Sequence, residues 1–316
     1  MGDKPIEGYV VPRLNFDNRL FDRALEAGAQ DFTGLKFVGT KVSGQHRVVE
    51  VQARDKSREF IASRLLVGAD GANSVVRTAL KATPSTAKHR GIAMRAYAKS
   101  DAFDVGGSEG PRMIFSFTRE LLPSYAWLFP TGRGIVNIGV GGPVLEIQKT
   151  GQNLRSLIAA FANQIRSQGV ALEEPYALQA HHLPHFGEIP NLAYSRAALI
   201  GDAASMINPF SGEGISYGMN AAARLVEMLP DNISDPEILD GALVRFQQDF
   251  HHTYRAHMAS TLFMHRLMRW PYWAKLSIDA AGRDPAVLHD AIDLLFGFGR
   301  VRATTSMRIL RAWAIR

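Results

Sequence analysis

The chain has 316 residues, 46% hydrophobic and 21% charged, the balance of a folded globular protein with a substantial core rather than of a disordered one. It has no cysteine, which excludes disulfides, thiolate catalysis and cysteine-based metal sites, and no apolar run of the ~18–20 residues that crosses a bilayer. The net charge of +6 is scattered without a basic run interleaved with aromatics, so nucleic acid is not an expected partner.

The first twenty residues lack the basic, apolar and small-residue pattern of a secretory signal, and the expected setting is the cytoplasm. Residues 15–30 predict a helix: Phe16, Leu20, Phe21 and Leu25 recur at helical spacing, Asn15 is the expected N-cap, and Gly28 is a stop signal. Three β-rich stretches follow, LKFVGTKVS, HRVVEVQA and EFIASRLLVGA, and predict a small antiparallel sheet feeding a buried strand. Strand-like runs separated by Gly and Pro continue from about 90 to 145, and NLRSLIAAFANQIRSQG reads as a helix. RAALIGDAA is a short buried strand ending in a turn, and EGISYGMNAAARLVEML is a strongly amphipathic helix. Everything after residue 237 is expected to be helical, with breaks at Pro271 and around Gly297 and Gly299. After residue 250 arginines stand among Trp, Phe, Leu and Met, a mixture that suits either an anionic membrane surface or a solvated positive face.

This order does not alternate strand and helix as a complete doubly wound fold does. No G-x-G-x-x-G turn occurs. GVGG at 139–142 follows a strand, but Pro143 and the Thr150-Gly151 pair are expected to keep it from opening a helix directly, so it is not a dinucleotide fingerprint.

Two segments carry stronger signals. In LLVGADGANSVVR (65–77) an apolar strand runs into Asp70-Gly71; Gly71 permits positive φ, Asn73 or Ser74 can cap the next helix, and Arg77 can reach back as a charged anchor. An ordinary strand-to-helix turn would explain Asp-Gly alone. In AALIGDAASMINPFSGEGISYGMNAAARL (197–225) a buried strand ends at Gly201-Asp202, where a carboxylate could accept hydrogen bonds from a ribose. Pro209 stiffens the loop, Gly212 and Gly214 let backbone approach a planar ligand, and the helix expected to begin near Glu213 aims its positive end there. The plainer alternative is a Gly-rich loop with an N-capping acid.

A third segment, SYAWLFPTGRGIVNIGVGG (124–142), alternates Tyr125, Trp127 and Phe129, which on a strand share one face; Pro130 ends the run. Three aromatics make either a flat apolar wall suited to an extended prenyl chain, or a sheet face packed in the core. His181, His182 and His185, like His251 and His252, lack the spacing of a helical metal pair, and no metal site is expected. No G-x-S-x-G elbow is present to supply a hydrolase nucleophile.

Together, the first two segments resemble the flavin fingerprints of the aromatic-hydroxylase class of flavoproteins, and YAWLFP with the later GVGG resembles the substrate motif of the geranylgeranyl reductase family. The resemblance covers roughly residues 8–225. It implies an α/β (α+β) aromatic-hydroxylase-like FAD-binding fold: a partial FAD-binding domain at 1–85 and 190–232, a substrate-binding antiparallel sheet inserted at 86–189, and a helical C-terminal region at 233–316. It implies FAD as cofactor, with Asp202 on its ribose, Gly214 and Ile215 against the isoalloxazine, and Asp70, Gly71, Arg77, Gly201, Pro209 and Gly212 shaping the cofactor site. Arg13, in GYVVPRLNFDNRL, matches a cofactor-contacting arginine, although a surface arginine near a helix start explains it as well, and Val42 matches a position whose backbone meets adenine. Tyr125, Trp127, Phe129 and Pro130 would line a prenyl lipid, NAD(P)H or another reductant would supply electrons, and no side chain is singled out as a catalytic acid or base.

Family members begin with a βαβ unit bearing G-x-G-x-x-G, an acidic ribose contact and a cysteine-containing loop, none of which stands in these 316 residues. EGYVVPR reads as mid-protein sequence, because Tyr9–Val11 would be a strand needing sheet neighbours. The expectation is a fragment or miscalled start, a partner chain that supplies the missing half, or a relative that no longer binds flavin. The implied activity is reduction of carbon–carbon double bonds in a prenyl lipid. The alternatives are a flavin-dependent aromatic monooxygenase and a truncated, non-catalytic lipid-binding relative. Peripheral attachment to the inner face of the membrane is expected alongside a cytoplasmic location.

Overall fold

Helix α1 (Arg13–Glu26) begins two residues before the expected cap, because Pro12 takes the N-cap position with φ −55 and its carbonyl accepts from Asn15 N and Phe16 N at 2.9 and 3.0 Å. It stops where Gly28 turns to φ +94. The structure is a computed structural model that describes residues 10–83, 86–119, 121–187, 191–297 and 299–314. Tyr9 lies outside those residues, and Val10 and Val11 are not strand, which corrects the expected Tyr9–Val11 strand.

Strands β1 (Lys36–Ser43), β2 (His46–Gln52) and β3 (Arg58–Ser63) form the expected antiparallel sheet. On β2 the inward positions are Arg47, Val49 and Val51, so period-2 alternation buries an arginine among valines. Its guanidinium is satisfied by Ser195 O at 3.1 Å from Nε, which ties this sheet to the rest of the fold. The third β-rich stretch divides, since β4 (Leu66–Gly68) leaves the first sheet for a second one, and α2 (Val75–Ala79) follows it.

The middle of the chain is a five-stranded antiparallel sheet of β5 (Arg90–Lys99), β6 (Ile114–Ser116), β7 (Ala126–Gly132), β8 (Ile135–Pro143) and β9 (Tyr176–Pro184), in the order β6-β7-β8-β5-β9. GVGG lies inside β8, and Pro143 caps α3 (Val144–Thr150) directly, so the expected interruption before a helix is absent. Proline fits because an N-cap needs no N–H donor, and its φ of −61 suits the entry to a helix. α4 (Leu154–Ser167), capped by the Asn153 side chain, lays Leu154, Ile158, Phe161, Ala162 and Ile165 against this sheet and closes one core.

The chain then returns to the second sheet through β10 (Ala193–Tyr194) and β11 (Ala197–Leu199), the latter parallel to β4. A side chain at Gly68 would meet Leu199 Cδ2 at 2.5 Å and Val76 Cγ1 at 2.8 Å, so the close seat of α2 on this sheet requires glycine. α5 (Ile215–Met228) and the long α6 (Pro236–Leu267) cover the sheet and form the largest core, with Tyr217, Phe246, Phe250 and Tyr254 at its centre. α7 (Pro271–Arg283), α8 (Pro285–Phe296) and α9 (Ala303–Ala314) complete the helical tail. Pro271 breaks it as expected; a further break falls at Asp284-Pro285, where the Asp284 carboxylate accepts from Ala286 N at 2.9 Å and proline starts the next helix.

Candidate functional site

The loop after β11 is the centre of the site. Ile200 N continues the sheet register by donating to Gly68 O at 3.0 Å, and the chain then turns sharply at Gly201, φ +61. One 3₁₀ turn follows, and Ser205, at φ +57, brings the backbone back so that Met206 N reaches Gly201 O at 3.1 Å. The Asp202 side chain is half-buried and accepts no hydrogen bond among the described residues. Burial pushes its pKa up, opposed by the charges of His181 and Arg13 and reinforced by Glu213. A carboxylate partly withdrawn from water and left without donors is suited to receive hydroxyl groups, as a ribose or ribityl chain would present.

Gly214 stands beside it: a Cβ there would lie 3.0 Å from Ile207 Cγ1 and 3.3 Å from Asp202 Oδ1. It is also the N-cap of α5, which begins at Ile215 rather than near Glu213. Glu213 has its own function, accepting from Ser216 N at 2.8 Å, so it takes up one of the helix's open donors. Ile215 is 40% exposed and offers an apolar surface and an N–H at that end. Gly212, at φ +73, makes the preceding turn and donates to Asn208 O at 2.8 Å; Pro209 is buried in the same loop.

Asn208, which belongs to none of the expected site positions, organises this loop. It is fully buried, its Oδ1 accepts from Phe210 N at 2.9 Å and Ser211 N at 3.3 Å, and its Nδ2 donates to Leu294 O at 3.0 Å and Tyr217 Oη at 3.2 Å. Tyr217 Oη is also 2.6 Å from His257 Nε2, and His257 Nδ1 is 2.6 Å from Gly299 O. Asn before Pro is a recognised turn signal, so Asn208 could have been found from sequence; His257 carries no such mark.

The Asp70 segment supports the loop from behind. Asp70 accepts from Ser74 Oγ, Val75 N and Val76 N, Gly71 takes φ +82, and Ser74 Oγ caps α2 by accepting from Arg77 N at 2.8 Å. Arg77 is buried and does reach back: Nη1 donates to Ala203 O at 3.2 Å and Nη2 to Ala72 O at 3.1 Å. It thereby binds the first motif to the residue after Asp202. Arg13 sits at the start of α1 in an exposed pair with Asp17 at 2.8 Å; that hydrogen bond raises its pKa most, with the charges of Asp17, Asp202 and Glu213 adding. Val42 is not brought there. It pairs with Arg47 at the β1–β2 turn, which docks on Ser195 and Arg196 at the start of β11 rather than at its end.

The aromatics form a wall. Tyr125 precedes β7, and Trp127 and Phe129 follow at alternate positions, half-buried, while Ala126 and Leu128 between them are fully buried on the other face. Ring centroids run 6.1 Å from Tyr125 to Trp127 and 6.4 Å from Trp127 to Phe129. Gly139 on β8 makes room, since a Cβ there would come within 2.2 Å of Trp127 Cζ2, and Trp127 Nε1 donates to Asn137 Oδ1 at 2.8 Å. Pro130 continues β7 instead of ending it. Phe115 from β6, Phe117 just after it and Phe296 from α8 extend the wall, with Phe115 centred 5.1 Å from Phe129 and 5.7 Å from Phe296. Phe115 and Phe117 were legible in principle, because IFSF repeats the same period of two. Tyr125 Oη donates to Ser211 O and so joins wall and loop directly; burial, then the charge of Glu213, holds its phenol well above the usual range, and it stays a donor.

The residues therefore fit the flavin and ribose portion of FAD: an acceptor without donors, a glycine-lined approach, a helix start and an apolar surface beside them. None of the described residues forms a pyrophosphate cradle.

Residues 3–242 match the family described as FAD binding domain. A menaquinone reductase of Mycobacterium tuberculosis (strain ATCC 25618 / H37Rv) is 32% identical over 225 residues, covering 71% of this chain and 55% of that protein. Digeranylgeranylglycerophospholipid reductase 2 of Methanopyrus kandleri is 27% identical over 267 residues, 82% of this chain and 66% of that protein. The chain thus spans about half the length of the curated menaquinone reductases it matches. In structure, a geranylgeranyl bacteriochlorophyll reductase-like protein of Thermoplasma acidophilum superposes with a TM-score of 0.69 at 17% identity, over 99% of this chain and 74% of that one. The mixed α/β fold with antiparallel sheets and a helical C-terminal region is the flavoprotein fold implied by the motifs.

Proposed function

Since the chain belongs to the FAD binding domain family, we propose that it serves the FAD-dependent reduction of carbon–carbon double bonds in a prenyl lipid, a geranylgeranyl group or the polyprenyl tail of a quinone. The observation that carries this reading is the hydrogen bond from Tyr125 to Ser211, which fastens an apolar aromatic wall to the loop that would hold the flavin. Relatives named as menaquinone and digeranylgeranylglycerophospholipid reductases support the substrate class.

When bound and reduced by an external donor, FAD would supply the hydride for such a reduction, with a proton completing the addition of two hydrogens. The residues of the chain have separate tasks. Asp202 would accept cofactor hydroxyls, and Gly214 and Ile215 would leave room for a flat ring at the start of α5. Tyr125, Trp127 and Phe129, extended by Phe115 and Phe296, would hold an extended run of isoprene units by apolar contact and exclude water. Arg13 would stand over the same loop as a cation. NAD(P)H or another reductant is the proposed electron source.

The test is the full chain with FAD, dithionite and a detergent-solubilised geranylgeranyl lipid, with lipid mass as the readout. A gain of about 2 Da per reduced bond, two hydrogens each, is expected. Unchanged mass with flavin bound and reduced refutes the reading. Oxygen uptake that depends on an aromatic substrate would favour a monooxygenase instead.

A further inference from the structure

We infer that the elbow joining α6 to α7 is a docking face for an anionic lipid bilayer, placed to pass the prenyl chain to the aromatic wall. The inference rests on the prenyl-lipid reading of the site for the second of these tasks only.

Sequence and exposure agree at this elbow. From 263 to 278 the chain reads FMHRLMRWPYWAKLSI, with Arg266, Arg269 and Lys275 and no acidic residue. Trp270, Tyr272 and Trp273 are 67%, 55% and 37% exposed, while the alternate residues Met268, Ala274 and Leu276 are 2%, 1% and 3% exposed. The aromatics are therefore not core residues out of place, because the elbow already has a buried side. Pro271 at the first position of α7 turns the chain here, and Tyr272 and Trp273 pack edge to face with centroids 5.4 Å apart. Trp and Tyr beside cations are suited to the headgroup layer, where rings sit at the apolar boundary and cations meet lipid phosphates.

The cations are available. Arg266 has no ion pair among the described residues, Arg269 reaches Glu146 only at 3.8 Å, and Lys275 pairs with Asp279 at 3.0 Å in an exposed i,i+4 contact of little strength. No helix among the described residues is long and apolar enough to cross a membrane, so a docking face rather than a span is the relevant geometry.

The buried side of the elbow selects a bilayer over an acidic protein. Met268 and Ala274 belong to one apolar cluster with Phe210 of the flavin loop and Leu294 of α8, and Phe117 of the aromatic wall packs against that cluster. The buried side of the elbow and the wall thus meet in one apolar cluster. An acidic protein partner would gain nothing from that continuity, whereas a lipid leaving a bilayer would follow it.

The experiment is flotation of the full chain, without FAD or substrate, on phosphatidylcholine vesicles with and without phosphatidylglycerol. Binding that needs phosphatidylglycerol and weakens with salt is expected. Arg266→Gln with Arg269→Gln should weaken it about fivefold per arginine, about thirtyfold together, with an unchanged thermal melt. Trp270→Phe with Trp273→Phe should keep most of the binding and lose the quenching of tryptophan by brominated phosphatidylcholine. Binding indifferent to phosphatidylglycerol or to the arginines, or quenching unchanged in the phenylalanine variant, overturns the proposal; no vesicle binding at all overturns it in favour of an acidic protein partner. Vesicle binding without reduction of detergent-solubilised lipid would count against the proposed function and not against this face.

Discussion

Replacing Asn208 with alanine tests whether the flavin loop is held by one buried side chain. Asn208 is fully buried and makes four side-chain hydrogen bonds, two to backbone N–H groups of its own loop and two outward, to Leu294 O and Tyr217 Oη. A hydrogen bond is worth about 1 kcal/mol net, and a buried group left unpaired costs more than the bond was worth. Losing all four predicts a destabilisation of about 3–5 kcal/mol, a large part of the ~5–15 kcal/mol that keeps a domain folded. Urea unfolding measures it: the midpoint should fall with the slope unchanged, since the surface exposed on unfolding is nearly the same. FAD affinity should fall in the same variant, because Phe210 and Ser211 are no longer fixed. A loss under about 1 kcal/mol would refute the reasoning, and would mean that the backbone bonds from Asn208 N to Glu213 O and from Gly212 N to Asn208 O, both 2.8 Å, hold the loop unaided.

Gly139→Ala should cost about 1–3 kcal/mol in the same urea assay and redden tryptophan fluorescence, because the added methyl would lie 2.2 Å from Trp127 Cζ2 and 2.6 Å from the Met94 carbonyl of the paired strand. Asp202→Asn should weaken FAD binding about tenfold, seen by flavin fluorescence titration, while slightly raising the stability of the flavin-free chain, whose carboxylate burial disfavours. Acid should destabilise the protein early: His185 and His265 are buried against each other, with His89, Arg266 and Arg269 facing them, and burial above all holds their pKa values down to about 3 and about 4. The unfolded chain binds these protons from about pH 6.5 downward and the folded chain does not. Stability is therefore complete above about pH 6.5 and should be lost on acidification, by about 2 kcal/mol per histidine at pH 5. Melting curves of His265→Leu should lose part of that slope between pH 7 and pH 5.

What could be seen in sequence was set by local physics. The strand into Asp70-Gly71, the strand into Gly201-Asp202 and the capped helix at Leu154 all follow from periodicity and turn chemistry within a dozen residues. Helix starts were misplaced by proline: Pro12 starts α1 before Asn15, and Pro285 opens α8 in a stretch where only Pro271 and the glycines near 297 signalled a break. The site was half legible. Asp202, Gly214, Tyr125 and Trp127 announce themselves by pattern, and the structure brings the Tyr125 hydroxyl to the loop. Asn208 to Leu294, Arg77 to Ala203 and Tyr217 to His257 are pairings across 86, 126 and 40 residues, set by how helices pack and by no local rule. Asp70 and Arg77 match a cofactor motif, and their side chains fix the turn after β4 and tie it to Ala203.

Those long-range pairings change how the helical tail should be regarded. The end of α8 touches both halves of the site within three residues: Leu294 O receives Asn208 Nδ2 from the flavin loop, and the Phe296 ring lies 5.7 Å from Phe115 in the wall. A few residues later Gly299 O meets His257, whose other nitrogen holds Tyr217. Moving this segment by an ångström would strain a buried hydrogen bond at 3.0 Å and open an aromatic contact together. Loop and wall therefore share one support, and a displacement of Phe296 is mechanically coupled to the groups beside Asp202. The motifs read from sequence end before this region, at roughly residue 225, so residues outside those motifs hold the loop and the wall in register.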